Sequence, residues 1–335
     1  MKKDNVLISV VIVNHNGARF LPRLLQTIYK QTTQDYEIIF VDTESKDDSL
    51  EYIKKEHPLI KVVEYENKGY GSACNIGARM GNGRFVVFLN EDMYLPDGFL
   101  KSMSDRFDEI KKSSVNIGGL SSGMLGFDAN PSTDLVSTGA TKTDLFGFTY
   151  PSYELDREEV FMLPGSPFFM EREVFLDIGG FSEYIFLYGE DVDLSWRANI
   201  YGYKLFVDNS TYLHHYGSAV FGAYSIKWNS LTIVSEFIPI INNYSLPSLI
   251  IILPLYMFYS LVLLFVLYIK LRFKNQIIKE YVKGIISIIR NFKGIWKFRI
   301  EVQKRRVLSD MVIFKHVSVV PAFLYKKSWT RIKGK

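Results

Sequence analysis

Two acidic segments stand out because each contains several polar side chains with oxygen atoms. A turn or a helix start would need only one such side chain. The first is FLNEDMYL at residues 88–95, an apolar run that ends in Asn90, Glu91 and Asp92. Carboxylates at the end of a buried strand are costly unless they are solvated or bind a partner. Oxygen ligands of this kind suit Mg²⁺ or Mn²⁺, and such a cation suits a diphosphate. A solvated turn after the strand is the alternative interpretation.

The second segment is FLYGEDVDLSWR at residues 186–197. Glu190, Asp191 and Asp193 follow a glycine at the predicted start of a helix, and Trp196 lies on the next turn. Acidic residues stabilise helix N-termini, so capping would explain one of the three. A general base whose pKa is tuned by its neighbours would explain why three are present.

Two adjacent histidines, His214 and His215, follow a strand-like run in LHHYGS at residues 213–218. A histidine here could supply a metal ligand. A structural or solvated histidine pair is the alternative.

A glycine-containing segment at residues 67–84 precedes another predicted helix. Gly69 and Gly71 come before the helix, and Asn75 lies within it. Backbone N–H groups at such a helix start could hold phosphate or ribose. The segment is not the GxGxxG fingerprint of a nicotinamide dehydrogenase, and the first strand is followed by only one nearby glycine, so that class of enzyme is disfavoured.

The first 120 residues alternate between strand-like and helix-like patterns, which predicts a parallel α/β sheet covered on both faces. The strand-like runs are Leu7–Val13, Tyr36–Val41, Ile60–Tyr65 and Arg84–Leu89. Ligands of such sheets bind beyond the carboxyl ends of the strands. We therefore expect Asn14, Asp42, Asn67 and residues 90–92 to meet at that edge.

The later part of the chain divides by composition. Residues 121–165 are rich in Gly, Ser, Thr and Pro and are predicted to be irregular, with helices returning around Glu171–Ile178 and Val192–Tyr201. We predict a catalytic domain over residues 1–235 and a membrane-associated helical region over residues 236–335.

The segment Leu246–Ile269 contains no charged residue and is long enough to cross a bilayer, although Pro247 and Pro254 are expected to kink or break it. Residues 276–298 follow, with apolar and basic residues at helical spacing, as in an interfacial amphipathic helix. A single crossing would put this basic helix on the far side, against the positive-inside rule. A re-entrant hairpin or a second half-span would keep both ends cytoplasmic, which we favour.

Charge is distributed unevenly along the chain. Residues 246–335 contain 18 Lys and Arg against 3 Asp and Glu, whereas residues 1–245 contain 22 against 33. Basic residues interleaved with aliphatic runs favour an anionic membrane lipid surface over nucleic acid. The single cysteine, Cys74, excludes an intrachain disulfide and fits a reducing compartment. Because the first residues do not form a convincing signal peptide, the N-terminal half is expected on the cytoplasmic face.

Taken in order, several of these segments resemble the family 2 glycosyltransferases of the GT-A fold, in particular their rhamnosyltransferase-like and galactofuranosyltransferase-like branch. The resemblance covers roughly residues 6–220. The segments are VVIVNHNG (10–17), VDTESKDDS (41–49), NKGYGSACNIG (67–77), FLNEDMYL (88–95), GGFSEYIFLYGEDVDLSWRANIYGYKL (179–205) and LHHYGS. The resemblance implies a GT-A (nucleotide-diphospho-sugar transferase) Rossmann-like domain with a C-terminal membrane-associated helical region.

The resemblance also assigns roles. Asp42 matches the aspartate that reads the nucleotide base, and Asn14 lies in the same donor pocket. Asp92 matches a ligand of Mg²⁺ or Mn²⁺, within a D-x-D variant that here is Asn90-Glu91-Asp92. Asp191 matches the general base of an inverting transfer. Asn90 and Glu91 are assigned to donor binding together with Asn67, Gly71 and Asn75. Glu190, Asp193 and Trp196 are assigned to the acceptor or to shaping the site, and His214 or His215, with His214 preferred, to the metal.

The implied partners are a dTDP-, UDP- or GDP-linked sugar and a lipid-linked or glycan acceptor at the membrane, where a tethered enzyme would meet such an acceptor at high local concentration. Glu44 departs from the family's usual Asn-Gly-Ser after the base-reading aspartate and is expected to alter nucleotide preference.

A processive polysaccharide synthase is one alternative, although Gln303 and Arg306 here precede Val307 instead of tryptophan, and we assign them to the basic surface helix. An inactive sugar-binding membrane protein is the other.

Overall fold

The computed structural model describes residues 6–113, 115–126, 135–152, 158–216 and 226–319. Two compact units emerge from the contacts between residues. The first unit consists of Met1–Thr141, Pro151–Phe181 and Tyr203–Val220, and the second of Lys142–Tyr150, Ser182–Gly202 and Phe221–Lys335. The acidic segment that contains Asp191 therefore groups with the C-terminal helices. The predicted boundary between residues 235 and 236 stays a prediction.

A mixed β-sheet forms the centre of the first unit. Its strands are β1 (Ile8–Asn14), β2 (Tyr36–Asp42), β3 (Lys61–Glu64), β4 (Phe85–Asn90), β5 (Met93–Tyr94), β6 (Ile117–Gly126), β7 (Leu135–Ser137), β10 (Glu159–Val160), β11 (Phe168–Glu171) and β12 (Lys204–His215), whereas β8 (Thr141–Thr143) and β9 (Thr149–Pro151) lie outside this sheet. The strand order is β10-β12-β6-β11-β4-β1-β2-β3, with β5 paired to β12, β7 paired to β6, and β8 and β9 in a separate pair.

The parallel half of the sheet follows the predicted strands within one or two residues. β1 pairs in parallel with β2 and β4, and all seven residues of β1 are buried. A strand covered on both faces needs a continuous apolar run, which is the pattern that ISVVIVN provides. The parallel register aligns Asn14 with Asp42 and Val13 with Asn90, so the carboxyl ends of the three strands meet at one edge.

In the part of the first unit that the structure describes, the helices are α1 (Leu21–Tyr29), α2 (Ser49–Glu56), α3 (Tyr70–Met80), α4 (Phe99–Lys112) and α5 (Arg172–Asp177). In α1 the buried residues are Leu21, Leu24, Leu25 and Ile28, which is the spacing of a single helix face. α3 packs against β1, and at Gly77 a Cβ atom would overlap the side chain of Val11. This close approach holds the second half of α3 against the middle of β1.

The prediction of an irregular region over residues 121–165 is wrong for its first part. β6 extends to Gly126 and pairs in parallel with β12, while the antiparallel β11 lies between β6 and β4. The segment was difficult to predict because its Gly and Ser residues have low strand propensity, and it is paired strands on both sides that make it a strand. β12 carries His214 and His215 at its end. Gly217 and Ser218 of the LHHYGS motif lie outside the described residues.

The second unit is helical and contains α6 (Glu190–Ile200), α7 (Ile226–Ser235), α8 (Phe237–Asn243), α9 (Leu246–Lys270), α10 (Gln276–Arg305) and α11 (Met311–Phe314). Within the described ranges, α9 is the one helix long and apolar enough to cross a membrane by length and composition. The expected break is absent, and the expected kink stays a prediction. Pro247 lies in the first turn, where a proline costs no hydrogen bond, and the helix continues through Pro254.

α10 returns the chain to the start of α9. Ser260 of α9 is hydrogen-bonded to Tyr281 near the start of α10 at 2.9 Å, whereas Asp310, beyond the end of α10, accepts a hydrogen bond from the backbone N–H of Ser245. The two helices are therefore antiparallel. The apolar segment is one continuous helix, which corrects the predicted re-entrant hairpin, whereas the second half-span stays a prediction.

The inner side of α10 caps α8. Arg299 donates to the carbonyl oxygens of Ile241 and Tyr244, and Gln303 donates to that of Asn242 at 2.7 Å. Arg306 reaches the carbonyl oxygen of Asn243. The last carbonyls of a helix have no partner within it, so these side chains satisfy them. Gln303 and Arg306 thus face inward, which corrects their assignment to the basic surface.

Candidate functional site

Asn14 and Asp42 form the centre of a buried polar network at the carboxyl ends of β1 and β2. The Asn14 Nδ2 group lies 2.9 Å from Asp42 Oδ1 and equally far from the hydroxyls of Ser45 and Ser49. The backbone N–H of Ser45 donates to the other carboxylate oxygen of Asp42 at 3.1 Å. The Asn14 Oδ1 atom is buried with no hydrogen-bond partner among the described residues. An orphaned acceptor of this kind is the type of atom that a ligand satisfies.

The loop beyond β2 contacts the loop beyond β3. Glu44 has a positive φ of 56°, and its carboxylate accepts a hydrogen bond from the Asn67 backbone N–H at 3.2 Å. His15 lies between the two loops, with its Nδ1 2.7 Å from the carbonyl oxygen of Thr43. Glu44, the departure from the family pattern, is therefore part of the wall that holds Asn67. His15 and Ser45 are further candidates that the sequence-based reasoning did not single out.

Asn90, Glu91 and Asp92 follow β4, as predicted. Asn90 is half-buried, whereas Glu91 and Asp92 are 6% and 3% exposed. Burial, together with the negative charges of Asp92 and Asp47, raises the pKa of Glu91 to about 8. A Cβ atom at Gly17 would clash with the Glu91 side chain. The glutamate at this position therefore fills space that the absence of a side chain at Gly17 leaves open.

The histidine that contacts Asp92 is His215. Its Nε2 lies 3.2 Å from Asp92 Oδ1, and both side chains are mostly buried. His214 instead directs its Nδ1 to the carbonyl oxygen of Gly126 at 3.1 Å. Adjacent residues on a strand point to opposite faces, so only one of the two can face Asp92. This geometry corrects the preference for His214 and leaves Asp92 and His215 as the candidate metal ligands.

A divalent cation fits this pair in chemistry. Among the residues described, no group of three or more His, Cys, Asp and Glu side chains converges as a metal site. One carboxylate and one imidazole suit a cation whose remaining ligands are diphosphate oxygens and water, which is how Mg²⁺ and Mn²⁺ are often held beside phosphates. Asp92 and His215 would then hold the metal only together with the donor.

The glycine-containing segment can offer backbone N–H groups to a ligand, whereas its asparagine, Asn75, has a structural role. Gly71 is buried in the first turn of α3, and Gly69 before it has a φ of 99°. The Asn75 amide accepts a hydrogen bond from the backbone N–H of Phe181 and donates to its carbonyl oxygen, both at 2.9 Å. Asn75 is buried by these contacts, so it fixes the turn around Gly180 and does not present its amide to a donor. The predicted donor contact of Asn75 is corrected on this ground.

In the second unit, α6 begins directly after a tight turn. Tyr188 and Gly189 both have positive φ values, 66° and 91°. Such a conformation is unusual for tyrosine and marks a constrained turn. Asp191 is half-buried in the first turn of α6, with one carboxylate oxygen 2.9 Å from the backbone N–H of Val192. The N-cap position of α6 is Gly189, so none of the three carboxylates occupies it.

Asp193 and Trp196 are structural residues of this unit. Asp193 is fully buried, forms a 2.6 Å ion pair with Arg197, and accepts hydrogen bonds from the amides of Asn242 and Asn243 at 2.9 and 3.0 Å. Trp196 is fully buried, with its ring centroid 5.6 Å from that of Tyr244. Asp193 therefore ties α6 to α8. Neither residue is accessible to an acceptor, which corrects the acceptor role and leaves them a positioning role.

Glu190 lies beside a buried glutamate that the sequence-based reasoning missed. Glu236 is 2% exposed at the start of α8, and its Oε2, like that of Glu190, has no hydrogen-bond partner within the described ranges. Burial and the charge of Asp191 raise the pKa of Glu190 to about 8, and burial with the charges of Asp191, Asp144 and Glu190 raises the pKa of Glu236 well above its ordinary value. The signal was available: Glu236 is the last charged residue before a long uncharged run, where burial is costly.

Solved structures with the same architecture are glycosyltransferases. GalNAc-T7, in a structure with UDP, GalNAc and Mn²⁺, aligns with a TM-score of 0.57 at 19% identity, over 71% of this chain and 48% of that one. Residues 1–349 of Staphylococcus aureus TarS, in complex with UDP-GlcNAc, align with a TM-score of 0.53 at 16% identity, over 83% of this chain and 79% of that one. At these identities the likeness establishes the GT-A fold.

Similar sequences belong to the same class. An uncharacterized glycosyltransferase of Haemophilus influenzae is 24% identical over 186 residues, which is 52% of this chain and 56% of the relative. A Methanococcus voltae dolichyl N-acetyl-alpha-D-glucosaminyl phosphate 3-beta-D-2,3-diacetamido-2,3-dideoxy-beta-D-glucuronosyltransferase is 23% identical over 220 residues, 62% of this chain and 66% of the relative. The chain thus spans between half and two thirds of the length of these two relatives.

The family model for glycosyl transferase family 2 matches residues 9–179, which include the strand ends with Asn14, Asp42 and Asp92. The match covers half of the chain, and the mixed sheet has the GT-A architecture. This protein belongs to glycosyl transferase family 2.

Proposed function

We propose that this protein transfers a sugar from a nucleotide-diphosphate donor to an acceptor hydroxyl, with inversion at the anomeric carbon. The observation that carries the proposal is the cluster at the carboxyl edge of the sheet, in which Asn14, Asp42, Glu91, Asp92 and His215 lie in a family 2 glycosyltransferase chain. The orphaned Asn14 oxygen and the short Asp92–His215 contact support donor binding at this edge.

Asp42 would bind the nucleotide base, with Asn14 and Ser45 holding its carboxylate in place. The start of α3 at Gly71 would offer backbone N–H groups to a phosphate or ribose. Asp92 and His215 would hold Mg²⁺ or Mn²⁺, whose charge stabilises the leaving diphosphate when bound. That GalNAc-T7 was solved with UDP and Mn²⁺ supports a divalent cation here.

Asp191 would act as the general base. Its half-buried carboxylate would take the proton of the acceptor hydroxyl while that oxygen bonds to the anomeric carbon and the nucleoside diphosphate leaves from the opposite face. Burial and the neighbouring carboxylates raise the pKa of Glu190 to about 8 and that of Glu236 well above its ordinary value, so both groups hold a proton more firmly than an exposed glutamate does.

We further propose that the enzyme acts at the cytoplasmic face of a membrane on a lipid-linked saccharide acceptor. The support is the apolar α9 and the basic α10. The dolichyl phosphate named for the Methanococcus voltae relative belongs to that protein and only illustrates this acceptor class.

The experiment that tests the proposal is nucleotide release by the detergent-purified full chain. UDP-, GDP- and dTDP-sugars are each supplied with Mg²⁺, Mn²⁺ or EDTA, with and without a membrane lipid extract. Release from one donor that EDTA and Asp92→Ala both abolish would support the enzyme. No release from any donor in the presence of the extract would contradict it and favour an inactive sugar-binding protein.

A further inference from the structure

The exposed face of α9 is uncharged from Leu246 to Ile269, and the exposed Lys270 is its last residue. The outward residues include Ile250, Ile251, Phe258 and Phe265, which are 66%, 63%, 70% and 63% exposed. Leu249, Ile252, Tyr256, Ser260 and Leu263 form the buried stripe of the same helix. A surface helix in water would place polar residues opposite its buried stripe. A continuous apolar surface of this size marks an interaction site.

The middle of α9 is packed against other helices of its unit, which is unlike a lone bilayer-crossing helix. Ser260 lies two residues from the midpoint of α9 and bonds the Tyr281 hydroxyl at 2.9 Å. Tyr256, on the same stripe, donates to the carbonyl oxygen of Ile233 in α7. A cluster of Ile233, Val234, Leu263 and Tyr281 fills the contact. α7 and α10 therefore accompany α9 at its midpoint.

If α9 crossed a bilayer, its midpoint would lie at the centre of the hydrocarbon layer. The part of α10 beside that midpoint carries Lys279, Glu280 and Lys283, and the Lys283 side chain is 70% exposed. Charged side chains at the centre of a bilayer are costly, and α10 is amphipathic with many basic residues. The packing of α10 on α9 thus conflicts with a crossing.

α10 has the pattern of a helix that lies at the surface of a membrane. Its exposed apolar residues form one stripe at spacings of three and four: Ile278, Val282, Ile286, Ile289, Phe292, Trp296 and Ile300. Between them lie Lys279, Lys283, Arg290, Lys293 and Lys297. Apolar residues on one stripe with lysine and arginine beside them bind the headgroup layer of anionic membranes.

We propose that α9 and α10 bind one leaflet of an anionic phospholipid bilayer without crossing it. The outward face of α9 enters the acyl-chain layer, and the basic residues of α10 contact the headgroups. The antiparallel return of α10 then keeps Ser245 and Asp310, at the two ends of the helix pair, on the same side. This inference rests on the proposed membrane attachment and is independent of sugar transfer.

The occupant is identified by the charge of α10 and the apolar surface of α9. Residues 270–306 contain 12 Lys and Arg against 2 Asp and Glu, which complements an anionic surface and repels a second copy of the same helix. A soluble protein partner would need an acidic surface to complement the excess positive charge of residues 270–306. The uncharged face of α9, however, matches only an apolar layer. Anionic lipid satisfies both faces at once.

The test uses the full chain in preformed, detergent-destabilised vesicles of phosphatidylcholine and phosphatidylglycerol. Lys274→Cys places a thiol in the exposed turn between α9 and α10, and Lys55→Cys places one on the exposed side of α2. The wild type, whose only cysteine Cys74 is buried, gives the background. A membrane-impermeant maleimide is added before and after detergent lysis. Lys55→Cys reports the fraction of molecules whose first unit faces outward.

We expect Lys274→Cys to be labelled in intact vesicles to the same fraction as Lys55→Cys. Protection of Lys274→Cys until lysis would show that α9 crosses the bilayer and would overturn the proposal. Failure of the wild type to float with the vesicles would overturn both this inference and the proposed membrane attachment. Nucleotide release measured in detergent would judge the transferase function separately.

A second pair of variants tests the lipid-facing side. Phe258→Glu is expected to lower the partition into phosphatidylglycerol-containing vesicles by about tenfold or more, because it replaces an apolar contact with a charge. Leu59→Glu is the matched control, since Leu59 is fully exposed on the first unit and is not part of the helix pair. Equal partition of the two variants would contradict the proposed orientation.

Discussion

At the scale of single residues, the two aspartates of the α6 segment have separable roles. Asp191 is half-buried, whereas Asp193 is fully buried between Arg197 and two asparagine amides. Asp191→Asn keeps the size of the side chain but removes the base. We expect turnover to fall by roughly 10²–10⁴-fold with little change in melting temperature.

Asp193→Asn is the matched control for that experiment. It breaks a buried ion pair, so the melting temperature should fall, because the charge of Arg197 is left without its partner. Turnover measurements and thermal scans on both variants check this separation. Wild-type turnover by Asp191→Asn would exclude Asp191 as the base.

The metal assignment is tested with the two histidines of β12. His215→Ala removes the imidazole beside Asp92 and is expected to raise the Mn²⁺ concentration needed for half-maximal nucleotide release by at least about tenfold. His214→Ala removes only a contact with a backbone carbonyl and should leave this concentration nearly unchanged. A larger effect from His214→Ala would reverse the assignment.

The pH dependence of stability should depend on Glu190. Its pKa is raised by burial and by Asp191 to about 8, so the folded chain keeps a proton that the unfolded chain loses above its ordinary pKa of 4.5. The native state thus binds more protons in this window, and the free energy of unfolding falls as pH rises from about 4.5 to about 8. The difference in unfolding free energy between Glu190→Gln and the wild type should therefore favour the variant more at pH 8 than at pH 5.

Denaturant unfolding at pH 5, 6.5 and 8 measures this difference. Glu183→Gln, at an exposed position in the same unit, is the matched control and should follow the wild-type curve. Parallel curves for Glu190→Gln and the wild type would show that Glu190 does not titrate in this range in the folded protein.

Sequence reasoning at this scale succeeded where the local pattern decides the position. The register of the predicted parallel strands brings Asn14 and Asp42 together, because their positions follow directly from the ends of apolar runs. It failed for Asn75 and Asp193, whose partners Phe181 and Asn242 lie far along the chain. Which histidine faces Asp92 depends on the pleat of β12, and that requires its pairing with β5.

At the scale of elements, the caps of α8 are the most testable feature. Arg299 is 4% exposed and donates to two carbonyl oxygens at the end of α8. Arg299→Met keeps the length of the side chain and leaves both carbonyls unsatisfied, which should cost about 1–3 kcal/mol of unfolding free energy. Lys297→Met on the exposed side of the same helix should change it by less than about 0.5 kcal/mol.

Urea unfolding of the two variants measures the difference, and equal midpoints would show that the caps do not stabilise α8. The sequence could not reveal these caps. Arg299, Gln303 and Arg306 lie in a segment whose basic composition predicts a solvated face, and only the tertiary contact with α8 turns three of its polar side chains inward. At Pro254 the local rule predicts a kink or a break, and the helix continues through this residue.

At the scale of the whole molecule, the acidic and basic halves of the chain bind different partners, but the acidic half depends on the basic half for its folding. A chain that ends at residue 245 would lack Arg299, Gln303 and Arg306, and the end of α8 would lose its caps. We expect such a truncated protein to lose the cooperative thermal unfolding of the second unit in addition to its membrane attachment. A soluble, cooperatively folding and active truncated protein would contradict this view.

The caps of α8 also have a consequence for how the protein is made. Asp193 depends on Asn242 and Asn243, and these in turn lie at the helix end that Arg299, Gln303 and Arg306 complete. A ribosome synthesises α6 more than a hundred residues before it synthesises Arg306. The segment that contains Asp191 can therefore reach its final hydrogen bonding only after α9 and α10 have left the ribosome. Maturation of the chain would thus couple the onset of activity to the emergence of the helices that attach it to lipid.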